Sequence, residues 1–152
     1  MNLLKLSAAL AAASVMVSPA TVWAQVNGTQ NATNTGEKIY QRTCIACHAT
    51  GVANAPKVGD AQAWKPLIAE GQATLTGHGW VGVRAMPPQG GDPRLGLEDF
   101  ARALAWMVRQ SGGSWSDPDA ATLKAIRKEA RERLQKDIAG RQNLLKALGQ
   151  DQ

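Results

Sequence analysis

Cys44-Ile45-Ala46-Cys47-His48 decides how this chain is read. Two thiols three positions apart fall on one side of a helical turn. Each can add across one vinyl group of a haem, and the histidine directly after them is aimed at the iron. The 152 residues contain only these 2 cysteines, so the motif uses both. A redox-active dithiol would need a strand before the motif and a helix after it, and nothing near Cys44 reads as a strand. A zinc site built from Cys44, Cys47, His48 and His78 would place two adjacent residues on one tetrahedral ion. His78 also lacks zinc-finger spacing. A plain disulfide across so short a loop is rare outside redox enzymes. Covalent haem c is the reading that these residues favour.

The start of the chain has the pattern of an exported protein. Lys5 precedes an apolar or small run from Leu6 to Val17, broken by Ser18-Pro19-Ala20. Val22-Trp23-Ala24 then offers small residues for a signal peptidase, with cleavage after Ala24. The run is shorter than the roughly 20 residues of a membrane span. Residues 1–24 are therefore expected to be a signal peptide and the mature protein to be soluble and periplasmic. Bacterial haem c is attached on that side of the membrane. Residues 25–35 are polar, small and non-periodic, a flexible leader.

The composition changes again near residue 115. Residues 36–115 form the expected haem domain, and 116–152 a charged amphipathic helical extension without Trp, Cys, His or Met. No strand pattern of any length is present, so the fold class is all-α. The net charge is +5 at pH 7, but no basic stripe carries interleaved aromatics. Nucleic acid is not an expected partner.

A closed electron-transfer haem needs a second axial ligand. Arg84-Ala85-Met86-Pro87-Pro88-Gln89-Gly90-Gly91 supplies it in Met86. The soft thioether favours ferrous iron, and the two prolines after it stiffen the loop. A lone methionine usually packs in a core. Met107 fits that role, whereas Met86 stands in a Pro/Gly loop. The rival ligand is His78, in Thr76-Gly77-His78-Gly79, which reads as a flexible loop with an exposed histidine.

With these residues in hand, the chain resembles the small class I cytochromes c of bacteria, and among them the short cytochrome c-five group. The resemblance covers residues 36–112. It rests on Gly36-x-x-x-Tyr40 with the Cys-x-x-Cys-His motif, Ala55-Pro56-Lys57-Val58-Gly59-Asp60, Ala63-Trp64, Ala85-Met86-Pro87-Pro88 and the run Phe100 to Val108. It implies a small class I fold around one covalently attached haem, with thioethers at Cys44 and Cys47. His48 and Met86 would be the axial ligands. Pro56 would offer its carbonyl to His48, Pro87 would hold the Met86 loop, and Trp64 would donate its indole N–H at the propionate edge. Gly36, Tyr40 and Trp106 would form the crossing of the first and last helices. Relatives often carry Arg where this chain has Leu67, which leaves Lys65 or Lys57 to neutralise the propionates, or leaves the propionates more exposed.

The periodicity agrees with this outline. Helices are expected over 36–46, 61–69 and 97–110, the last burying Phe100, Leu104, Met107 and Val108. In the extension, Ser116-Asp117-Pro118-Asp119 reads as a helix start with Pro at the first position. Leu123, Ile126, Ala130, Leu134, Ile138, Leu145 and Leu148 then form a stripe, with a break or kink expected near Gly140. Three roles are open for it: packing on the haem domain, docking a partner or second copy, or lying on a membrane. Its mixed charges suit the membrane poorly, so membrane contact is expected only through partners. The expected activity is single-electron transfer between redox-partner proteins, without enzyme chemistry. The alternative is a haem subunit fixed to a larger oxidoreductase through the extension. A haem enzyme or gas sensor would need an open iron position, which the Met-Pro-Pro context disfavours.

Overall fold

The computed structural model describes residues 35–149. The expected signal segment 1–24 and almost all of the leader 25–35 lie outside the described residues. Five helices follow in order. The first, α1, covers residues 36–48 in three stretches: α-helical Gly36–Ile39, a π-helical turn Tyr40–Cys44, and α-helical Ile45–His48. Next come α2 (Ala61–Ala69), α3 (Gln72–Val81), α4 (Leu97–Gln110) and α5 (Ala120–Gly149). Short 3-10 turns occupy Val52–Asn54 and Pro88–Gly91. The only β pairing among the described residues is an isolated bridge between Val83 and Met86. The all-α expectation therefore agrees with the structure.

Caps set the helix starts. The Thr35 hydroxyl accepts from the Lys38 N–H, and the Asp60 carboxylate accepts from the Ala63 N–H at 3.1 Å. These bonds satisfy donors that a helix leaves open in its first turn. The first helix extends past its expected end at residue 46 and carries the whole Cys-x-x-Cys-His motif. The π turn, which ends on the first cysteine of the motif, is a widening that recurs at functional sites.

The core joins α1, α2 and α4. Ile39, Tyr40, Trp64, Leu95, Phe100, Ala103, Leu104, Met107 and Val108 form its buried cluster. The predicted stripe of α4 is all inside it. At the crossing of α1 and α4, a Cβ on Gly36 would overlap the Arg102 carbonyl and stand 2.8 Å from Trp106. Tyr40 and Trp106 stack beside it with ring centroids 4.8 Å apart. Glycine is the one residue that lets the two backbones meet there.

The main departure from expectation is α3. Residues 76–79 are helical, not a flexible loop. Glycine is a poor helix former, but both glycines here face close neighbours. A Cβ on Gly77 would lie 2.9–3.0 Å from Glu129 and Ala130, and one on Gly79 would lie 3.1 Å from the Phe100 ring. Packing against α4 and α5 thus overrides local propensity.

The extension also differs in detail. Asp119 caps α5, its carboxylate accepting from the Thr122 N–H at 2.7 Å, so Pro118 precedes the helix and does not open it. That hydrogen bond holds the Asp119 carboxyl below its usual range. The helix runs unbroken through Gly140. Its first half packs on the domain: Leu123 and Ile126 are buried against Ala101, with Ala73 and Leu97 around them. Removing the Ile126 side chain should leave a cavity worth about 2–4 kcal/mol. Ile126→Ala is therefore expected to lower the thermal midpoint clearly without changing the haem spectrum. An unchanged midpoint would mean that α5 does not pack as described.

Candidate functional site

His48 ends α1 and is buried. Its Nδ1 lies 2.9 Å from the Pro56 carbonyl oxygen. A carbonyl only accepts, so Nδ1 carries the proton and Nε2 keeps the lone pair that a metal needs. Such a bond also fixes the orientation of the ring.

The loop that brings Pro56 back is built for this return. Gly51, Ala53 and Asn54 all have positive φ, which turns the chain sharply. The Val58 N–H then donates to the His48 carbonyl at 2.8 Å. Trp64, 1% exposed, donates its indole N–H to the Lys57 carbonyl at 2.8 Å. The indole donor thus ties the loop to α2 at Lys57. The ring still stands near His48, with centroids 6.3 Å apart. Two residues after Lys57, the Gly59 N–H donates to the hydroxyl of buried Ser111 at 3.1 Å. Ser111 ties the loop to the end of α4. Sequence reading missed it, because a serine after a helix carries no signal of what it bonds 52 residues away.

Met86 sits in a second tight loop. Val83 and Met86 exchange both backbone hydrogen bonds, at 3.1 and 2.9 Å, and Arg84 between them has φ +54°. Gly82 has φ +100°, and a Cβ there would stand 3.1–3.2 Å from Pro88 and the Met86 carbonyl. Gly82 is the second residue that sequence reading missed; its only signal was a glycine four positions before the methionine. Pro87 is extended (φ −70°, ψ 158°) and leads into the Pro88–Gly91 turn. The Met86 side chain is half-buried and packs against the core cluster, as do Cys44, Val58, Leu67, Leu75 and Trp80.

Cys47 is exposed and Cys44 half-buried. Burial pushes the Cys44 thiol up to about 11 against the pull of Arg42, and a neighbouring Cys47 thiolate adds to the rise. Cys44 is thus a neutral thiol at ordinary pH. His78 is set apart in α3, with Nε2 3.2 Å from Glu129 and Nδ1 3.7 Å from Glu70. It is neither a loop residue nor part of a metal cluster. No group of three or more His, Cys, Asp or Glu gathers for a metal ion among the described residues.

The donor set fits haem c. Two thiols on the final turns of α1 suit two thioether bonds, and an imidazole with a free Nε2 suits iron. A thioether held in a rigid loop would suit a second iron ligand, and the half-buried apolar side chains suit a flat macrocycle.

A helical domain with this motif and this loop defines a c-type cytochrome, and the comparisons with known proteins agree. Residues 31–107 match the family model described as cytochrome C oxidase, cbb3-type, subunit III. The chain belongs to that family of c-type cytochromes: electron-transport proteins whose iron is held in covalently bound haem c. It is 41% identical over 80 residues to cytochrome c-555 of Chlorobaculum thiosulfatiphilum, covering 50% of this chain and 93% of that relative. It is 45% identical over 58 residues to cytochrome c5 of Azotobacter vinelandii, covering 36% and 69%. A chain in the crystal structure of an electron transfer complex of nitrite reductase with cytochrome c is 45% identical, with a TM-score of 0.48, covering 50% of this chain and 93% of that one.

Trp64→Phe keeps the ring volume and removes only the indole N–H, leaving the Lys57 carbonyl without that donor. A loss of about 1–2 kcal/mol in denaturant unfolding is expected, with little change in the visible spectrum. A spectrum altered as strongly as by loss of an axial ligand would show that Trp64 acts on the haem directly.

Proposed function

We propose that this chain is a periplasmic mono-haem electron carrier. Cys44 and Cys47 hold the haem by thioethers, and His48 and Met86 are its axial ligands. The observation that carries the reading is the His48–Pro56 hydrogen bond, which leaves the imidazole one coordinating nitrogen. The domain layout is the one read from the sequence: signal 1–24, leader 25–35, haem domain 36–115 and extension 116–152.

Bound haem supplies a one-electron iron couple. The protein's part is to hold both ligands still and keep water away. The Pro56 carbonyl orients His48. The Val83 pairing and Pro87 hold the Met86 sulfur, whose softness favours the reduced state and raises the potential. A closed iron leaves no position for substrate, in keeping with a carrier and not an enzyme. Cys47 is exposed, which supports an attachment edge open to donor and acceptor proteins. No described helix is long and apolar enough to cross a membrane.

A second reading has its own support. The matching family is described as an oxidase subunit, and the outer half of α5 is exposed. A fixed subunit would co-purify with a larger oxidoreductase in constant ratio, whereas a carrier would not.

Optical spectroscopy tests the ligand set. The oxidised haem-loaded protein is expected to show a near-infrared Met-to-iron charge-transfer band, and the reduced protein to resist carbon monoxide. Met86→Ala is expected to remove the band and admit carbon monoxide. A band that survives this substitution would assign the second ligand elsewhere.

A further inference from the structure

The end of α4 is a closed cap. The N–H groups of Ser111 and Gly113 both donate to the Val108 carbonyl, at 3.0 and 2.9 Å, and Val108 is fully buried. A helix end satisfied in this way leaves its cap residue little freedom. Ser111 is 1% exposed, and its hydroxyl accepts from the Gly59 N–H, 52 residues away in sequence.

Gly59 lies on the loop that returns Pro56 to His48. The tie made by Trp64 to this loop is of a different kind. Trp64 bonds Lys57 from α2, the helix into which the loop runs at Asp60, so the loop and the indole move together. The Val58 N–H on the His48 carbonyl joins the loop to α1 at one point, and a single hydrogen bond is a hinge. Ser111 adds a second point, on α4. Because α4 is itself seated on α1 at Gly36, Tyr40 and Trp106, the bond at Gly59 closes a ring from α1 through the loop and α4 back to α1. Packing does not replace this bond. An open cleft of about 310 Å³, lined by Ala61, Lys65, Ile68, Ser111 and Gly112, borders the contact and gives the loop room to swing.

We propose that Ser111 is a positioning residue for His48. Its hydroxyl sets the direction of the Pro56 carbonyl and, through the bond to Nδ1, the reduction potential of the haem iron. The inference rests on His48 being an axial ligand, as proposed above. Hydrogen bonding behind a metal ligand is one of the means by which a protein tunes a haem. A carbonyl on the Nδ1 proton pushes electron density through the ring toward the iron and favours the ferric state. A carbonyl that swings away gives up part of that donation and favours the ferrous state.

The test uses the haem-loaded full chain, Ser111→Ala, Ser111→Thr, and Ile126→Ala as a variant destabilised through α5 instead. A redox titration and proton NMR of the reduced protein are recorded for each. The reduced parent is expected to show the His48 ring protons at the far-upfield positions that a haem ring current imposes on an axial ligand. Ser111→Ala is expected to speed solvent exchange of the Nδ1 proton by about tenfold or more, as the bond opens more often. It is also expected to favour the reduced form about threefold at a fixed applied potential, which is about 28 mV at 59 mV per tenfold for one electron. Ser111→Thr keeps the hydroxyl and is expected to match the parent in both readouts. Ile126→Ala is expected to lose stability and keep both. Parent-like exchange and potential in Ser111→Ala, an equal shift in Ile126→Ala, or a Ser111→Thr protein that behaves like Ser111→Ala would each overturn the role of Ser111 and leave the ligand assignment standing. A parent without shifted His48 resonances would overturn the ligand assignment, and this inference with it.

Discussion

The hydrogen bond from His48 Nδ1 to the Pro56 carbonyl is the contact on which the rest of the haem side is arranged. It requires a loop that leaves α1, reverses within a few residues and returns a carbonyl to the histidine it started from. The left-handed residues at 51, 53 and 54 make the reversal. Trp64 and Ser111 then hold the two positions that follow nearby, Lys57 and Gly59, from α2 and from the end of α4. A buried indole and a buried hydroxyl are satisfied by backbone of the same loop. The result is a histidine whose free nitrogen is defined before any metal is considered.

Close approach at glycine is the second recurring device. Gly36 lets α1 cross α4, Gly77 lets α3 meet α5, and Gly82 lets the Met86 loop fold over Pro88. In each case a Cβ would press closely on another residue. Tight contact at these points gives the Met86 loop and the attachment motif a rigid scaffold. The same argument explains why a segment as poor in helix formers as 76–79 is helical.

The extension divides by burial. Up to Ala130, α5 is part of the domain, and His78 sits between Glu70 and Glu129 at that junction. From Leu134 to Gly149 every residue of the helix is exposed, and its apolar stripe runs on into solvent.

The attachment motif, the methionine loop, the all-α class and the buried stripe of α4 were legible in the residues, because each is a local pattern: fixed spacing, turn chemistry or helical period. The amphipathic character of α5 was legible for the same reason. The partners of Trp64 and Ser111, the helical state of residues 76–79 and the continuity of α5 through Gly140 were not. Those depend on which backbone arrives beside a side chain from far along the chain. An indole N–H donates to whichever acceptor the fold delivers, and a glycine is helical when a neighbouring helix packs against it. The amino-acid sequence alone thus determined what chemistry this protein carries, since a haem-attachment motif is written in residue type and spacing. The tertiary structure decided how the motif's histidine and the methionine loop are held, because hydrogen bonds and helix contacts between distant segments exist only once the chain has closed on itself.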